Sequence, residues 1–434
     1  MREKIYYMLL EIYLILVLLW LFIGSILNTY EYIDSTLTSL GLFVFAILGI
    51  ILYIFYKFIQ KKYSLMDYLI VMMSLLGYLS YCNAFDKRVA LIGFIDGREG
   101  LLAILSYYMI FLLSTTVKNE KIRKDVFKLL TLIGIIFVFY GVLQIFGIFS
   151  FLGIPIVGQW KYASSLLNNS NFMGAFCVLM SGLWLGKYFF EDIEKINYKS
   201  LIVLFIFVLG LLISGAMSAF VALIVMMLII IFIYFFVFRK RFNIKKVFLK
   251  VLNIFLIFLI SFIFVNCCNS NELIKDVRIL NSEVFNSATS GLKKEYGTGR
   301  VHIWKESLKY FPKYIWTGVG IDNFIYLGKN EFVTDYISGV KYSKAHNEYL
   351  QILLTEGIFM FVIYLLFLGI IFIKSLLSIF RNKKVNYVVL SLFLAYFGYC
   401  IQAFFNISMI KVAPIFYMIS GMLVSCVEGE KLKY

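Results

Sequence analysis

The sequence predicts an all-α integral membrane protein, and three observations lead to this prediction. Of the 434 residues, 62% are hydrophobic and only 15% are charged, a composition unlike that of soluble globular domains. Apolar runs long enough to cross a bilayer as a helix, about 20 residues each, recur along the chain. Lysine and arginine are concentrated in alternate connections between these runs. Together the three patterns predict about twelve transmembrane helices and one large outer loop.

The predicted spans follow the apolar runs in chain order. The first follows the short basic start MREK and lacks a small-x-small cleavage site, so we expect it to be retained. Residues 1–268 should hold spans one to nine, and residues 347–434 should hold spans ten to twelve and a cytoplasmic C-terminus. The spans lie at roughly 5–27, 37–58, 65–83, 100–117, 129–149, 172–190, 200–214, 216–238, 250–268, 347–373, 385–405 and 412–427.

The distribution of positive charge predicts the orientation. If the N-terminus is cytoplasmic, the inner segments hold 25 of the 41 Lys and Arg residues, the short outer loops hold 5, and residues 269–346 hold 11. This positive-inside pattern predicts a multi-pass protein of the cytoplasmic membrane with both termini inside. The net charge of +16 therefore indicates topology, and we expect no nucleic-acid partner.

One predicted outer connection, residues 269–346, is far longer than the others. A loop of this length usually carries function. Within it, residues 297–314 predict a short amphipathic helix that Pro312 ends. The apolar stripe of this helix would consist of Ile303, Trp304, Leu308 and Phe311.

Two basic residues occupy different faces of this predicted helix. At helical spacing Arg300 lies at the edge of the apolar stripe, whereas His302 lies opposite Phe311. We therefore expect Arg300 to point toward the membrane domain and His302 to face water.

His346, one of only two histidines, stands at the mouth of the tenth span. The adjacent Asn347 suits a helix N-terminus, and Gly357 would let a neighbouring helix approach beneath the histidine. Glu356 is an acid within an apolar run, and such residues usually face the bundle interior. His346 is thus either an interfacial anchor or the roof of a cavity between helices.

Other polar and basic residues of the predicted outer segments could join His346. Asn169 and Asn171 lead into the sixth span, where they could bind a sugar or cap the helix. The candidate cations are Arg98, Lys161, Lys341 and Lys344. The six cysteines have no metal-ligand spacing, and we expect neither a cofactor nor a metal requirement.

The stretch from 297 to 370 resembles the O-antigen ligase and O-antigen polymerase family of bacterial membrane glycosyltransferases. The similar elements are the loop arginine, WTGVG, and AHNEYLQILLTEGIF with a glycine eleven residues after the histidine. NNSNFMGAF resembles an upstream Asn-x-Asn element, and the twelve-span layout agrees. The turn ISGAMSAF (213–220) lacks the Ser-Arg dipeptide that ligases often carry, and Trp304 replaces a common leucine.

The resemblance implies a GT-C-like enzyme that takes glycan from an undecaprenyl-pyrophosphate carrier and transfers it to a hydroxyl on the outer face. His346 would be the general base, and Arg300 would bind the pyrophosphate. Lys161, Asn169, Asn171, Lys341, Lys344, Asn347 and Arg98 would bind substrate. A polysaccharide chain-length regulator is a possible partner.

Several functions stay open at this stage. Polymerisation of lipid-linked repeat units is favoured over ligation of finished glycan to a lipid, wall or protein acceptor, because the Ser-Arg dipeptide is missing. A flippase or transporter should show paired halves and charged residues near mid-membrane, and the sequence shows no internal repeat. A peptidoglycan polymerase of the shape-and-division type is a further alternative.

Overall fold

The computed structural model describes residues 1–29, 35–95, 97–151, 161–239, 243–291, 293, 296–297, 299–327, 342–381 and 385–431. These residues form sixteen α-helices and no β-strand. In chain order the helices are α1 (Arg2–Thr29), α2 (Thr36–Gln60), α3 (Leu65–Cys82), α4 (Lys87–Ile92), α5 (Leu101–Ser114), α6 (Glu120–Ile145), α7 (Ile148–Phe151), α8 (Ser170–Phe190), α9 (Tyr198–Ser214), α10 (Met217–Ile233), α11 (Ile244–Cys268), α12 (Glu272–Ser290), α13 (Arg300–Leu308), α14 (Glu348–Arg381), α15 (Tyr387–Ala403) and α16 (Ala413–Lys431).

A helix lies at each of the twelve positions predicted to span the membrane. Among the described residues, eight helices are long and apolar enough to cross a membrane: α1, α2, α3, α6, α8, α10, α11 and α14. The apolar helices α5, α9, α15 and α16 are shorter by this measure. The structure therefore confirms an all-α membrane protein, and the number of crossings remains a prediction.

Helix α8 lies at the centre of the bundle, where nearly all of its residues are buried. A Cβ atom at Gly182 would lie 2.5 Å from the backbone of Ala395, and one at Gly186 would lie 2.3 Å from that of Ser391. The small-xxx-small spacing of these glycines thus lets α8 and α15 approach closely, as small residues do between transmembrane helices.

The long helix α14 is kinked at Gly357, which has φ +85°. At the kink, some carbonyls of α14 do not form the hydrogen bonds that they would form within a straight helix. The turn at 316–320 donates hydrogen bonds to these carbonyls instead. Val319 N–H donates to Leu354 O (3.1 Å), and Gly320 N–H donates to Thr355 O (2.9 Å). A Cβ at Gly357 would meet Trp316 O at 2.2 Å, so the close neighbour of this glycine is a loop and not the helix that was expected.

The loop helix α13 is shorter than predicted and is rotated. It ends at Leu308, so Phe311 lies beyond it, and Leu308 is exposed. Its buried face instead centres on Ile303 and includes His302, which is only 9% exposed. The prediction that His302 faces water was wrong, because two of the residues that defined the apolar stripe do not pack as members of this helix.

The helices run between two ends of the bundle. We call the end that carries residues 161–169, 299–327, 342–347 and 404–412 the site end, and the opposite end the basic end. The basic end carries the connections that hold most Lys and Arg residues. There Lys250 of α11 donates to Tyr188 O (2.8 Å) and Asp192 O (2.5 Å), past the C-terminus of α8.

Candidate functional site

A cavity of about 630 Å³ opens at the site end. Its walls come from the end of α1, the connection before α8, residues 343–346 and the connection between α15 and α16. Amide side chains dominate its polar lining: Asn28, Asn168, Asn169, Asn171 and Asn406. Lys344, His346 and Lys411 also line it, and no carboxylate does so among the described residues.

His346 lies on the cavity wall in a left-handed backbone conformation, with φ +51°. This conformation is uncommon for residues other than glycine, although histidine is among those that adopt it more often. Burial, followed by the positive charges of Arg300 and Lys344, lowers the pKa of His346 to about 4. The imidazole is therefore neutral at physiological pH and can accept a proton.

Asn347 begins the helix that follows this histidine. Its side-chain Oδ1 accepts a hydrogen bond from Leu350 N–H (3.0 Å), and its carbonyl accepts one from Gln351 N–H (2.8 Å). Asn347 is therefore an N-cap of α14 and fixes the backbone next to His346.

Arg300 is the first residue of α13, and burial lowers the pKa of its guanidinium. Its Nε has no hydrogen-bond partner in the described part of the chain. Arg300 does not line the cavity, but its charge acts on His346. Trp304 Nε1–H donates to Ala345 O (3.0 Å) and so ties α13 to the segment that carries the histidine.

Lys344 is 3% exposed and is held by two carboxylates. Its ammonium forms an ion pair with Asp322 and lies 3.7 Å from Glu99 Oε2. Glu99 also accepts a hydrogen bond from Ser408 Oγ (3.0 Å), and burial raises its pKa to about 7. The positive charge of Lys344 is thus largely compensated within the protein.

The two asparagines predicted from NNSNFMGAF both line the cavity. Asn169 Oδ1 accepts a hydrogen bond from Asn171 N–H (2.8 Å) and caps α8. Asn171 O accepts a hydrogen bond from Asn406 Nδ2 (3.2 Å), which joins the start of α8 to the α15–α16 connection. Both asparagines therefore form structural hydrogen bonds at the start of α8 and also line the cavity.

The structure does not bring every predicted site residue to the cavity. Lys161 forms ion pairs with Glu272 (3.1 Å) and Asp276 (2.5 Å) of α12. Arg98 donates to Gly93 O (3.3 Å) within its own loop. Neither residue is among those that line the cavity, and Lys341 lies outside the described residues.

The sequence analysis missed several cavity residues, among them the polar side chains of Asn28, Asn406 and Lys411. Lys411 sits at the border of the last apolar run, and its only signal was that it is a lone charge between two such runs. Asn28 and Asn406 carried no signal, because single amides at span ends are ordinary interfacial residues. Among the described residues, no three His, Cys, Asp or Glu side chains are grouped so that they could hold a metal ion.

Residues 202–365 match the family model described as O-antigen ligase. This segment belongs to the O-antigen ligase family. The match confirms the family that the loop motifs indicated, and no curated protein sequence matches the chain. The O-antigen ligase segment contains Arg300, Lys344 and His346, whereas Asn169 and Lys411 lie outside it.

Proposed function

We propose that this protein is a polysaccharide polymerase that transfers glycan from an undecaprenyl-pyrophosphate carrier to a sugar hydroxyl on the outer face of the membrane. The observation that carries the proposal is the position of His346. It lies in the O-antigen ligase segment, on the wall of a cavity of about 630 Å³ lined by amides. That volume falls within the range of small-molecule sites, about 300–1,000 Å³, and amides are suited to hydrogen-bond sugar hydroxyls.

His346 would act as the general base. The acceptor hydroxyl attacks the anomeric carbon of the donor sugar, His346 takes the hydroxyl proton, and the bond to the lipid diphosphate breaks with its electron pair. A positioned base typically contributes about 10²–10⁴-fold to such a step. The free histidine is a weak base first because it is buried, and second because Arg300 and Lys344 repel the positive charge that it would gain. The negative charge of a bound diphosphate would offset that repulsion and raise the pKa of His346.

Arg300 would bind the departing diphosphate. Its guanidinium carries donors that can contact phosphate oxygens bidentately, which a lysine cannot reproduce. Two features support this role: Nε is left without a partner among the described residues, and the positive charge acts on His346. In this arrangement the acceptor occupies the amide-lined cavity, and the leaving group lies on the Arg300 side of the histidine.

The proposal includes an orientation. The basic end should face the cytoplasm, as the distribution of Lys and Arg favours, and the site end should face outward. Cysteine labelling from outside, in a background without the native cysteines, should modify Ser290→Cys and spare Asn243→Cys. Labelling with the opposite preference would contradict the outer-face assignment.

Polymerase and ligase differ in the glycan that accumulates when the gene is removed. Loss of long chains with single units retained on the lipid or core is the expected result for a polymerase. Accumulation of free lipid-linked polymer would instead identify a ligase, and unchanged glycan would contradict both. Transfer by the purified wild-type protein, supplied with a lipid-diphosphate donor, tests the enzymatic activity directly.

A further inference from the structure

Lys411 is a buried cation that the proposed mechanism does not use. It lies between α15 and α16, is 3% exposed and lines the cavity that contains His346. Its one hydrogen bond in the described part of the chain is a long one, from Nζ to Leu166 O at 3.4 Å. No carboxylate forms an ion pair with it among the described residues. Two of its three N–H donors are therefore available to a ligand.

A buried ammonium without a counter-charge is destabilising, because it loses hydration that nothing replaces. Burial accordingly lowers the pKa of Lys411 to about 7. The other lysine on the wall, Lys344, is neutralised by Asp322 and Glu99. Lys411 is thus the cation of this wall whose charge the described residues leave uncompensated, and a ligand with a negative group would compensate it.

The surroundings of Lys411 indicate a sugar. Leu166, its carbonyl partner, belongs to the short turn Ser165–Leu167, and Asn168 next to that turn donates to Asn28 O (3.0 Å). Asn28 Oδ1 is buried and accepts no hydrogen bond within the described residues. The cavity therefore combines an unneutralised cation with several amide side chains, which can hydrogen-bond sugar hydroxyls.

From this arrangement we infer that the cavity binds an acidic sugar of the acceptor glycan, whose carboxylate or phosphate substituent contacts Lys411. The inference rests on the proposed function, in which Arg300 takes the diphosphate. Arg300 does not line the cavity, whereas His346 does, so the group that enters beside Lys411 belongs to the acceptor and not to the leaving group. The surface glycan made by this protein should accordingly contain an acidic sugar.

Octyl glucuronide and octyl glucoside form a matched pair of probes, because they differ only by a carboxylate in place of a hydroxymethyl group. Their binding would be measured on the full chain in lipid nanodiscs. The wild-type protein should bind the glucuronide about tenfold or more tightly, as expected for a charge-assisted hydrogen bond in a buried site. Lys411→Met should abolish this preference, and Lys411→Arg should retain part of it.

Lys250→Met is the matched control, since it removes another buried lysine at the opposite end of the bundle and should keep the preference. Undecaprenyl diphosphate is the third probe, and its affinity should be unchanged in Lys411→Met. If Lys411→Met instead weakens the diphosphate and leaves the glucuronide unaffected, Lys411 belongs to the leaving-group site and the inference is wrong. If Lys411→Met fails to fold, Lys411→Gln supplies the same comparison.

Failure of this inference can be told apart from failure of the proposed function. A wild-type protein that transfers glycan but shows no preference for the glucuronide would contradict the inference alone. A protein that prefers the glucuronide yet transfers no glycan from a lipid-diphosphate donor would contradict the proposed function.

Discussion

Each end of the bundle buries a lysine, and the two lysines differ in their hydrogen bonding. At the basic end, Lys250 is 1% exposed and donates to three backbone carbonyls, those of Tyr188, Phe189 and Asp192. At the site end, Lys411 is 3% exposed and, among the described residues, donates one long hydrogen bond to a carbonyl. Lys250 hydrogen-bonds carbonyls at the C-terminal end of α8, whereas Lys411 lines a cavity.

The comparison shows how burial alone fails to identify a functional charge. Lysines near the last carbonyls of a helix complete its hydrogen bonding and interact favourably with its dipole, so Lys250 has a structural explanation. Lys411 has none of comparable strength, and it lines the same cavity as His346 and several amides. What distinguishes Lys411 from Lys250 is that it lines a cavity and is incompletely paired among the described residues.

A large effect on activity is expected from Arg300. Arg300→Ala should lower glycan transfer by about a hundredfold or more, the magnitude typical of losing one donor to developing negative charge. Arg300→Lys should restore only part of the activity, because a point charge cannot reproduce the bidentate contact. Transfer by purified protein, compared with Lys309→Ala on the exposed side of the same loop, checks both. Full activity in Arg300→Ala would remove this residue from the site.

The largest effect on stability is expected from the buried ion pair between Lys344 and Asp322. Asp322→Ala removes the carboxylate that pairs most closely with the buried ammonium of Lys344, and breaking a buried pair on one side costs about 3–5 kcal/mol. Glu306→Gln, which breaks the exposed pair with Lys309, should cost at most about 1 kcal/mol. Thermal unfolding in detergent compares the two, and equal losses would show that Lys344 is solvated.

The two buried lysines should respond in opposite directions to the same change. Lys250→Met removes charged donors from three carbonyls at the end of α8 and should cost about 1–3 kcal/mol of the free energy of unfolding. Lys411→Met removes an uncompensated charge and should cost nothing or stabilise the protein. Melting temperatures of the two variants decide this, and a loss in Lys411→Met as large as in Lys250→Met would contradict the distinction.

That last comparison should also depend on pH. The pKa of Lys411 is lowered from 10.5 to about 7 by burial. A base whose folded-state pKa is lowered contributes stability above its unfolded pKa and loses it as pH falls through the folded pKa. The advantage of Lys411→Met over the wild type should therefore be largest below about pH 7 and shrink toward pH 10. A constant difference across that range would show that Lys411 is hydrated.

Much of the fold followed from the sequence, because apolar runs and charge segregation are local signals. Twelve helices lie where the runs predicted them, and the motif around His346 indicated the family whose model matches residues 202–365. The kink at Gly357 could not be predicted from the sequence, since it depends on hydrogen bonds from the turn at 316–320 to carbonyls of α14. Helix α12, which pairs with Lys161, was also not predicted.

The candidate site was only partly predictable for a similar reason. His346 and the asparagines near 169 stand in recognisable motifs, and the structure places them around one cavity. Lys344 was predicted to bind substrate, but it pairs with Asp322 and Glu99, which come from distant segments. Lys411 is separated from His346 by 65 residues of chain, and only the packing of the α15–α16 connection brings them together.

The most direct test of the account is glycan transfer by purified, folded His346→Ala with a lipid-diphosphate donor, measured together with donor binding. Donor binding should be retained while turnover falls by at least about a hundredfold, the low end expected for a positioned base. For the wild type, kcat/KM should fall on the acid side near pH 4, the pKa of the free histidine, and this limb should vanish in the variant. Turnover close to that of the wild type in His346→Ala would contradict the general-base role and make this histidine an anchor at the membrane boundary.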